Sequence, residues 1–207
     1  MATRAVLTGD IVNSTLLGKA AEKKLLHLMQ QLFRDHKLEF YRGDSFQALL
    51  QQPATALRLS LLCRSAAISL QEAQPPVLSD FRISIGIGEV ISPVRTLKTA
   101  KGQAFVLSGR ALDEITKTNS RLAITTGNEL ANEGLQVIAD YLNSIFRAMT
   151  GKQAEVIFRL LKGETQQAVA RTLKKTKSTI HQRVISGRWP EIEKLLFQFE
   201  KIITQLI

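Results

Sequence analysis

Two acidic residues, Asp10 and Asp44, stand at positions where a fold can bring carboxylates together. Asp10 follows an apolar run at residues 4–8, and Asp44 forms with Gly43 the tip between two short apolar runs. Carboxylate oxygens with open remaining positions suit Mg²⁺ or Mn²⁺ carrying a phosphate chain. The pair therefore predicts a metal site. A simpler interpretation stays open, because Asp is also common in turns and Gly-Asp is a common hairpin tip.

The segment after Asp10 offers a second kind of chemistry, the binding of an anion. Asn13, Ser14 and Thr15 precede a helical pattern, and Ser14 or Thr15 is predicted to cap that helix. Backbone N–H groups at the start of a helix attract phosphate. Carboxylates for a metal and a helix start for phosphate together predict a site that handles a nucleotide or another metal-bound phosphate.

The pattern of apolar residues predicts the elements that must hold these groups. Up to residue 127 we predict strands at 4–8, 38–42, 45–50, 81–87 and 121–125, and helices at about 15–36, 53–71 and 104–116. The order βαββαβ followed by αβ indicates an α+β, ferredoxin-like fold. In that fold the first strand is central and is expected beside the strand that enters the hairpin. Both carboxylates should therefore converge at one edge of the sheet.

The charge of the chain is distributed unevenly. Its 207 residues include 28 Lys and Arg against 18 Asp and Glu, a net charge of +10. Residues 148–207 alone hold eleven basic and five acidic residues. We therefore divide the chain into a sheet domain at 1–127, a connecting helix at 128–149 and a basic helical domain at 150–207. Such a basic domain predicts a polyanionic partner.

The helical domain has the spacing of a helix-turn-helix. Helices are predicted at 152–162, 165–174 and 178–187, separated by short turns, with a final amphipathic helix at 191–207. The third helix would present side chains of the types that contact base edges in a major groove, and nearby basic residues would contact phosphates. The predicted DNA-binding residues are Arg171, Lys174, Lys175, Lys177, Ser178, Thr179, His181, Gln182, Arg183 and Arg188.

Other functions of these helices remain open. They could form a small bundle with a solvated basic face, or bind another protein rather than double-stranded DNA. The apolar stripe of the last helix is broad enough for core packing or for self-association. A homodimer is attractive because two such modules bind two half-sites.

Several motifs in order resemble the class III nucleotide cyclase domains. They are TGDIVNST at 8–15, RGDSF at 42–46, RISIGIGEV at 82–90, GQAF at 102–105 and RAL at 110–112. With its C-terminal helices the whole chain resembles the SatD family of bacterial proteins, in which a cyclase-like domain precedes a helix-turn-helix. The C-terminal part also resembles the promoter-reading region of sigma factors.

The resemblance implies roles for particular residues. Asp10 and Asp44 match the cyclase aspartates that hold two metal ions, and the carbonyl of Ile11 matches a further ligand. Arg110 matches the arginine that stabilises the transferring phosphoryl group. The resemblance thus implies Mg²⁺ or Mn²⁺ and a nucleotide ligand.

Other positions depart from the cyclase pattern. Val106 stands near the asparagine that orients the ribose, and Phe40 and Thr99 stand near the two base-selecting positions. Cyclisation needs the sugar and the phosphate to be held together. These departures favour binding over turnover, so we expect a regulator that does not cyclise.

The cysteine content and the length of the apolar runs argue against a disulfide-bonded protein and a membrane-spanning protein. A single cysteine, Cys63, excludes an intramolecular disulfide, and the apolar runs are too short for a membrane span. The N-terminus shows no leader, and no organic cofactor is evident, so we expect a cytoplasmic protein without a membrane partner. Our first hypothesis is a DNA-binding regulator with a nucleotide- or metal-phosphate-binding domain. The alternative is a metal-dependent nucleotidyl cyclase or transferase that uses Asp10 and Asp44 and is localised by its basic domain.

Overall fold

A computed structural model describes residues 2–41, 43–70 and 79–207. The strands are β1 (Ala2–Val12), β2 (Lys37–Tyr41), β3 (Ser45–Leu50), β4 (Asp80–Val90) and β5 (Leu122–Thr126). The helices are α1 (Lys19–Leu32), α2 (Ala56–Ser69), α3 (Gln103–Thr116), α4 (Glu129–Arg147), α5 (Gly151–Leu161), α6 (Gln166–Thr172), α7 (Lys177–Ser186) and α8 (Trp189–Leu206). The predicted ends of the second strand at Arg42 and of the second helix at Gln71 lie outside the described residues.

The five strands form one mixed sheet in the order β2-β3-β1-β4-β5. β1 is central and antiparallel to both β3 and β4, and β5 runs parallel to β4. The predicted combination of a sheet with helices is confirmed. The expected neighbour of β1 was wrong: it pairs with β3, the strand that leaves the hairpin, and not with β2, which enters it. The reason is burial, because β3 is mostly buried and belongs in the interior, whereas β2 is half-exposed and takes the edge.

β1 is longer than the sequence pattern predicted. It extends to Val12, which pairs with Asp80 of β4, so Asp10 lies within the strand rather than after it. Strands on both sides hold the backbone of β1 in this extended form, and this tertiary pairing overrides the turn signal of Gly9-Asp10. Asp10 is therefore opposite Ser45 on one side and opposite Arg82 on the other.

Helices cover both faces of the sheet. Ala5, Leu7 and Ile11 belong to the main core with α1, α2 and α4, whereas Val6 packs on the opposite face with Ala104 of α3. α3 lies very close to β4, since a Cβ added to Gly86 would stand 2.3 Å from the backbone oxygen of Ala104. The backbone of α3 can pack so closely because position 86 carries no side chain.

The helix after β1 begins later than predicted. Neither Ser14 nor Thr15 caps it, since residues Ser14–Leu16 form a single 3₁₀ turn and α1 begins at Lys19 behind Gly18. Asn13 adopts a left-handed conformation with φ 58°. The side chain of Ser14 is already engaged elsewhere, as described below, and so is unavailable as a cap.

The sheet and the C-terminal helices share one hydrophobic core. α4 packs on β5 and α5 packs on α2, and the core continues from Ala5 of β1 to Ile203 of α8. Asn143 ties α4 to the sheet, because its amide donates to the oxygen of Leu122 and its oxygen accepts from Arg64. α4 is thus a packed layer of the molecule as well as a connection. Among the described residues, no helix combines the length and apolarity that crossing a membrane requires.

Candidate functional site

The segments that carry Asp10 and Asp44 meet at the end of β1. The N–H of Ile11 donates to the backbone oxygen of Asp44, with N and O 3.1 Å apart. The Ser14 hydroxyl donates to Asp44 Oδ2 at 2.8 Å, and the Ser45 hydroxyl donates to Oδ1 at 3.3 Å. The tip of the hairpin is therefore fastened to the end of β1, and the carboxylate of Asp44 is held by two hydroxyls.

Asp10 has a partner that sequence reasoning missed. Arg82, opposite it on β4, places Nη1 3.2 Å from Asp10 Oδ2, and both side chains are about one-fifth exposed. Burial raises the pKa of Asp10, the nearby charge of Asp44 adds to this, and Arg82 opposes both. One feature of the sequence could have drawn attention to Arg82: the period-two alternation of β4 places it on one face with Ser84 and Gly86, the face that α3 covers. The sequence does not reveal the register between β1 and β4 that places Arg82 beside Asp10.

These residues do not fit a two-metal centre in this arrangement. A divalent ion needs free carboxylate oxygens, and a guanidinium already neutralises Asp10. Within the ranges that the structure describes, no cluster of three His, Cys, Asp or Glu side chains could hold a metal. Asp44 and the carbonyl of Ile11 remain the predicted ligands, but only Asp44 offers a carboxylate that no arginine occupies.

A second arginine lies beside Arg82. The N–H of Ile83 on β4 donates at 2.9 Å to the oxygen of Arg121, the residue before β5, so the two arginines are neighbours on adjacent strands. Burial lowers the pKa of Arg121, and the positive charges of Arg82 and Arg64 lower it further, against the attraction of Asp80 and Asp10. In the described part of the chain, no side-chain hydrogen bond satisfies the guanidinium of Arg121.

Arg121 opens onto a cavity at the end of the sheet. Its volume is about 290 Å³. It lies where the end of β1, the start of β4, α2 and α4 come together. Its walls are formed by Val12, Asn13, Arg64, Ile68, Ser79, Asp80, Asn119, Arg121, Asn143, Phe146, Arg147 and Met149. Asn13 of the predicted phosphate segment thus reaches this cavity, whereas Ser14 holds Asp44 and Thr15 is exposed.

Arg110 lies on α3 and is exposed to solvent. No hydrogen bond or ion pair joins it to Asp10 or Asp44 in the described residues. Val106, four residues earlier, is 50% exposed on the same helix. The structure therefore does not bring Arg110 to the aspartates within one chain.

The positions that would select a nucleotide base have structural roles here. Phe40 packs against the main core. Its neighbour Glu39 faces the other side and accepts hydrogen bonds from the N–H groups of Leu97, at 2.7 Å, and Lys98, at 3.3 Å. Thr99 is exposed in the same loop and bonds to Thr96. Glu39 thus fixes the loop after β4 across the edge strand β2.

The basic surface of the C-terminal helices is built around α6 and α7. Thr165 and Thr176 cap these helices by accepting from the N–H of Ala168 and Thr179. Lys174 adopts a left-handed conformation, φ 51°, in the turn between them, while Ile180 and Val184 bury the inner face of α7. Of the predicted DNA-binding residues, those exposed are Arg171, Lys174, Lys175, Lys177, Ser178, His181 and Gln182, and those half-buried are Thr179, Arg183 and Arg188.

Arg188 differs from the other predicted phosphate contacts. Its Nε donates to Glu191 at 3.0 Å, its Nη2 donates to the hydroxyl of Tyr141, and its guanidinium lies over the ring of Tyr141. The residue therefore links the start of α8 to α4. A phosphate would have to compete with both partners.

Comparison with solved structures finds similarity to nucleotide cyclase domains, each with a TM-score below 0.5. A bacterial light-regulated adenylyl cyclase is 18% identical over 60% of this chain and 76% of its own, with a TM-score of 0.45. The active GGEEF domain of a diguanylate cyclase from Vibrio cholerae is 14% identical over 62% of this chain and 85% of its own, with a TM-score of 0.43. The dimeric guanylyl cyclase domain of the RhoGC fusion protein from Blastocladiella emersonii is 14% identical over 54% of this chain and 73% of its own, with a TM-score of 0.42. No family model and no curated protein sequence matches the chain.

Proposed function

We propose that this protein is a DNA-binding regulator of the SatD type, whose sheet binds a nucleotide or another phosphate-bearing ligand without cyclising it. The observation that carries the proposal is the outer face of α7. Lys177, Ser178, His181 and Gln182 are all exposed on it, while Ile180 and Val184 close the core behind it. A helix held this way presents hydrogen-bonding side chains to a groove.

The exposed residues divide into two roles. Ser178, His181 and Gln182 on the outer face of α7 have donors and acceptors that suit base edges. Four basic residues that precede or begin α7 suit phosphates, which set the position of the helix without reading sequence: Arg171, Lys174, Lys175 and Lys177. This division predicts that the first group governs specificity and the second governs affinity. Two copies of the helix on a homodimer would then bind two half-sites.

The sheet supports ligand binding better than nucleotide cyclisation. Val106 lacks the polar group that would orient a ribose, and Phe40 is part of the core. Arg82 occupies a carboxylate that cyclisation would need for a metal. The same end of the sheet carries Arg121 at the mouth of a cavity, a feature that favours a phosphate-bearing ligand.

The test of DNA binding is a salt titration on the full chain. The probe is a fluorescent duplex of mixed sequence, read by anisotropy. Four phosphate contacts predict a slope of about −3.6 in log affinity against log salt, or a loss of about a hundredfold between 50 and 200 mM. An affinity that does not change with salt would overturn the proposal and favour a protein partner for these helices.

The convergence of Asp10 and Asp44 favours one second candidate, a metal-dependent nucleotidyl cyclase or transferase. Each nucleoside triphosphate would be incubated with the protein and Mn²⁺, and products read by mass spectrometry, with Asp44→Asn as the control. A product that the control does not form would establish the enzyme and reduce the basic helices to a localising role. No product at high protein concentration would exclude this candidate.

A further inference from the structure

The cavity at the end of the sheet carries an excess of positive charge. Among the described residues, Arg64, Arg121 and Arg147 line it, and Asp80 is the one acidic side chain of the lining. Asp80 is already occupied, because both its oxygens accept from Arg64, at 3.1 Å and 2.7 Å. Within the described ranges, neither Arg121 nor Arg147 forms an ion pair with a carboxylate, although the charge of Asp80 attracts Arg121.

The hydrogen-bonding capacity of these two arginines is also largely unused. Arg147 donates one long bond, 3.4 Å, to the backbone oxygen of Asn119. Arg121 donates no side-chain hydrogen bond to any described residue, although it is half-buried. A guanidinium has five N–H donors in a planar fork that matches the oxygens of a phosphate.

The positive charge of Arg121 is destabilised by its surroundings. Arg82 lies beside it on the neighbouring strand, and like charges in adjacent positions destabilise a sheet. Arg82 is held by Asp10, but its Nε is buried with no acceptor among the described residues. An anion beside Arg121 would offset this like-charge repulsion and supply acceptors for the guanidinium of Arg121.

We propose that this cavity binds a phosphate group, held directly by Arg121 and Arg147 without a metal ion. The inference deepens the proposed ligand binding of the sheet and rests on it. The ligand class is a free phosphate, a pyrophosphate or the phosphate chain of a nucleotide. Asn119 lies in the same lining and can bond to the same oxygens. Asp80, already paired with Arg64, offers little repulsion to the anion.

The cavity lies next to the junction between the sheet and the C-terminal helices. Phe146 and Met149 line it from the end of α4, directly before α5 begins at Gly151. A phosphate there contacts the sheet and the segment that leads into α5 at once. Its binding energy therefore acts on the junction between the two parts of the chain.

The test is isothermal titration calorimetry on the full chain in EDTA, with inorganic phosphate, pyrophosphate and each nucleoside triphosphate as separate probes. We expect binding without a metal, and a loss of about tenfold or more in affinity for Arg121→Gln. Arg147→Gln, at an exposed position that does not support the core, should show the same direction. Arg34→Gln removes an equally positive but fully solvated charge and should bind as the wild type does. The ratio of inorganic phosphate to nucleotide affinity distinguishes the two sources of the ligand.

Two results would overturn the inference. One is the absence of binding to every probe in EDTA, and the other is unchanged binding in both the Arg121 and Arg147 variants. Nucleotide binding that requires Mn²⁺ and fails in Asp44→Asn would place the ligand at the aspartates instead, and would leave ligand binding by the sheet intact. DNA binding is measured on the same samples, so its failure is separate from that of the phosphate site.

Discussion

Arg82 on β4 donates a hydrogen bond to the carboxylate of Asp10 on β1, with Nη1 3.2 Å from Oδ2. The guanidinium thus provides the positive charge that a metal ion would bring to this carboxylate. We predict that Arg82→Gln frees Asp10 and raises the affinity for Mn²⁺ by about tenfold or more, because a competing charge is removed. Electron paramagnetic resonance of free Mn²⁺ measures this. Arg34→Gln is the matched control, and equal Mn²⁺ binding by both variants would contradict the idea.

Arg64 is a charged side chain that is fully buried in the core. It is 1% exposed, forms a two-bond ion pair with Asp80, and lies 4.8 Å from the ring centre of Phe146. Arg64→Met should lower the free energy of unfolding by about 3–5 kcal/mol, because Asp80 would be left without its partner. Urea denaturation followed by circular dichroism measures the difference.

The control for Arg64 is a second arginine of the same helix. Arg58 pairs with Glu200 of α8 at 3.3 Å, but both side chains are about 40% exposed. Arg58→Met should therefore cost about 0–1 kcal/mol. Similar losses in the two variants would show that burial does not decide the value of these ion pairs.

Two glycine-to-alanine substitutions test the close contact between β4 and α3. A Cβ at Gly86 would stand 2.3 Å from the oxygen of Ala104 and 2.5 Å from the nitrogen of Ser108, both backbone atoms. Gly86→Ala should destabilise the protein by about 3 kcal/mol or more, since the helix must move. Gly109→Ala, on α3 with nothing within 4 Å, should stabilise it by about 0.5–1 kcal/mol. Thermal unfolding of both variants checks the signs, and a stable Gly86→Ala protein would mean that α3 lies farther from the sheet.

Glu39 should make the loop at Leu97 and Lys98 sensitive to acid. Burial alone would raise the pKa of Glu39, but hydrogen bonds from Leu97, Tyr41 and Lys98 together hold it below its ordinary 4.5. The lowered pKa means that the carboxylate stabilises the folded loop above pH 4.5, and that this stabilisation is lost as pH falls through the folded value. Hydrogen exchange of the Leu97 and Lys98 amides should therefore lose protection below pH 4.5. Glu39→Gln should show weaker protection and no such acid step, and identical profiles would refute the assignment.

The phosphate contacts of the basic helices can be counted individually. Lys175→Ala should weaken binding to every duplex alike and reduce the salt slope by about 1, because one counterion fewer is released. Lys201→Ala, an exposed lysine of α8 outside α6 and α7, is the control and should leave the slope unchanged. If both variants change the slope equally, the basic charge acts as a diffuse field and not through α6 and α7.

The sequence was most informative where local pattern decides structure. Period-two alternation predicted β4, and apolar spacing with short turns predicted α6 and α7. It failed where partners distant in the chain decide. Nothing local indicates that β1 continues to Val12 against Asp80, or that Ser14 turns to Asp44 instead of capping a helix.

The candidate site was likewise only half predictable. Asp10 and Asp44 stand out in the sequence by their type and spacing, and their role at this site stays a prediction. Arg82 and Arg121 do not stand out, because an arginine in a strand is informative only when the register places it beside another charge. The sequence thus indicated two carboxylates and did not indicate the guanidinium that neutralises one of them.

The burial of α2 on both sides has a consequence for how the protein is made. This helix is buried along nearly its whole length, with the sheet on one side and α5 on the other. A ribosome delivers the sheet first and α5 only with the last quarter of the chain. Until α5 is synthesised, the apolar face of α2 that it covers is exposed to water. The nascent chain is therefore prone to aggregate unless synthesis finishes quickly or a chaperone binds this face.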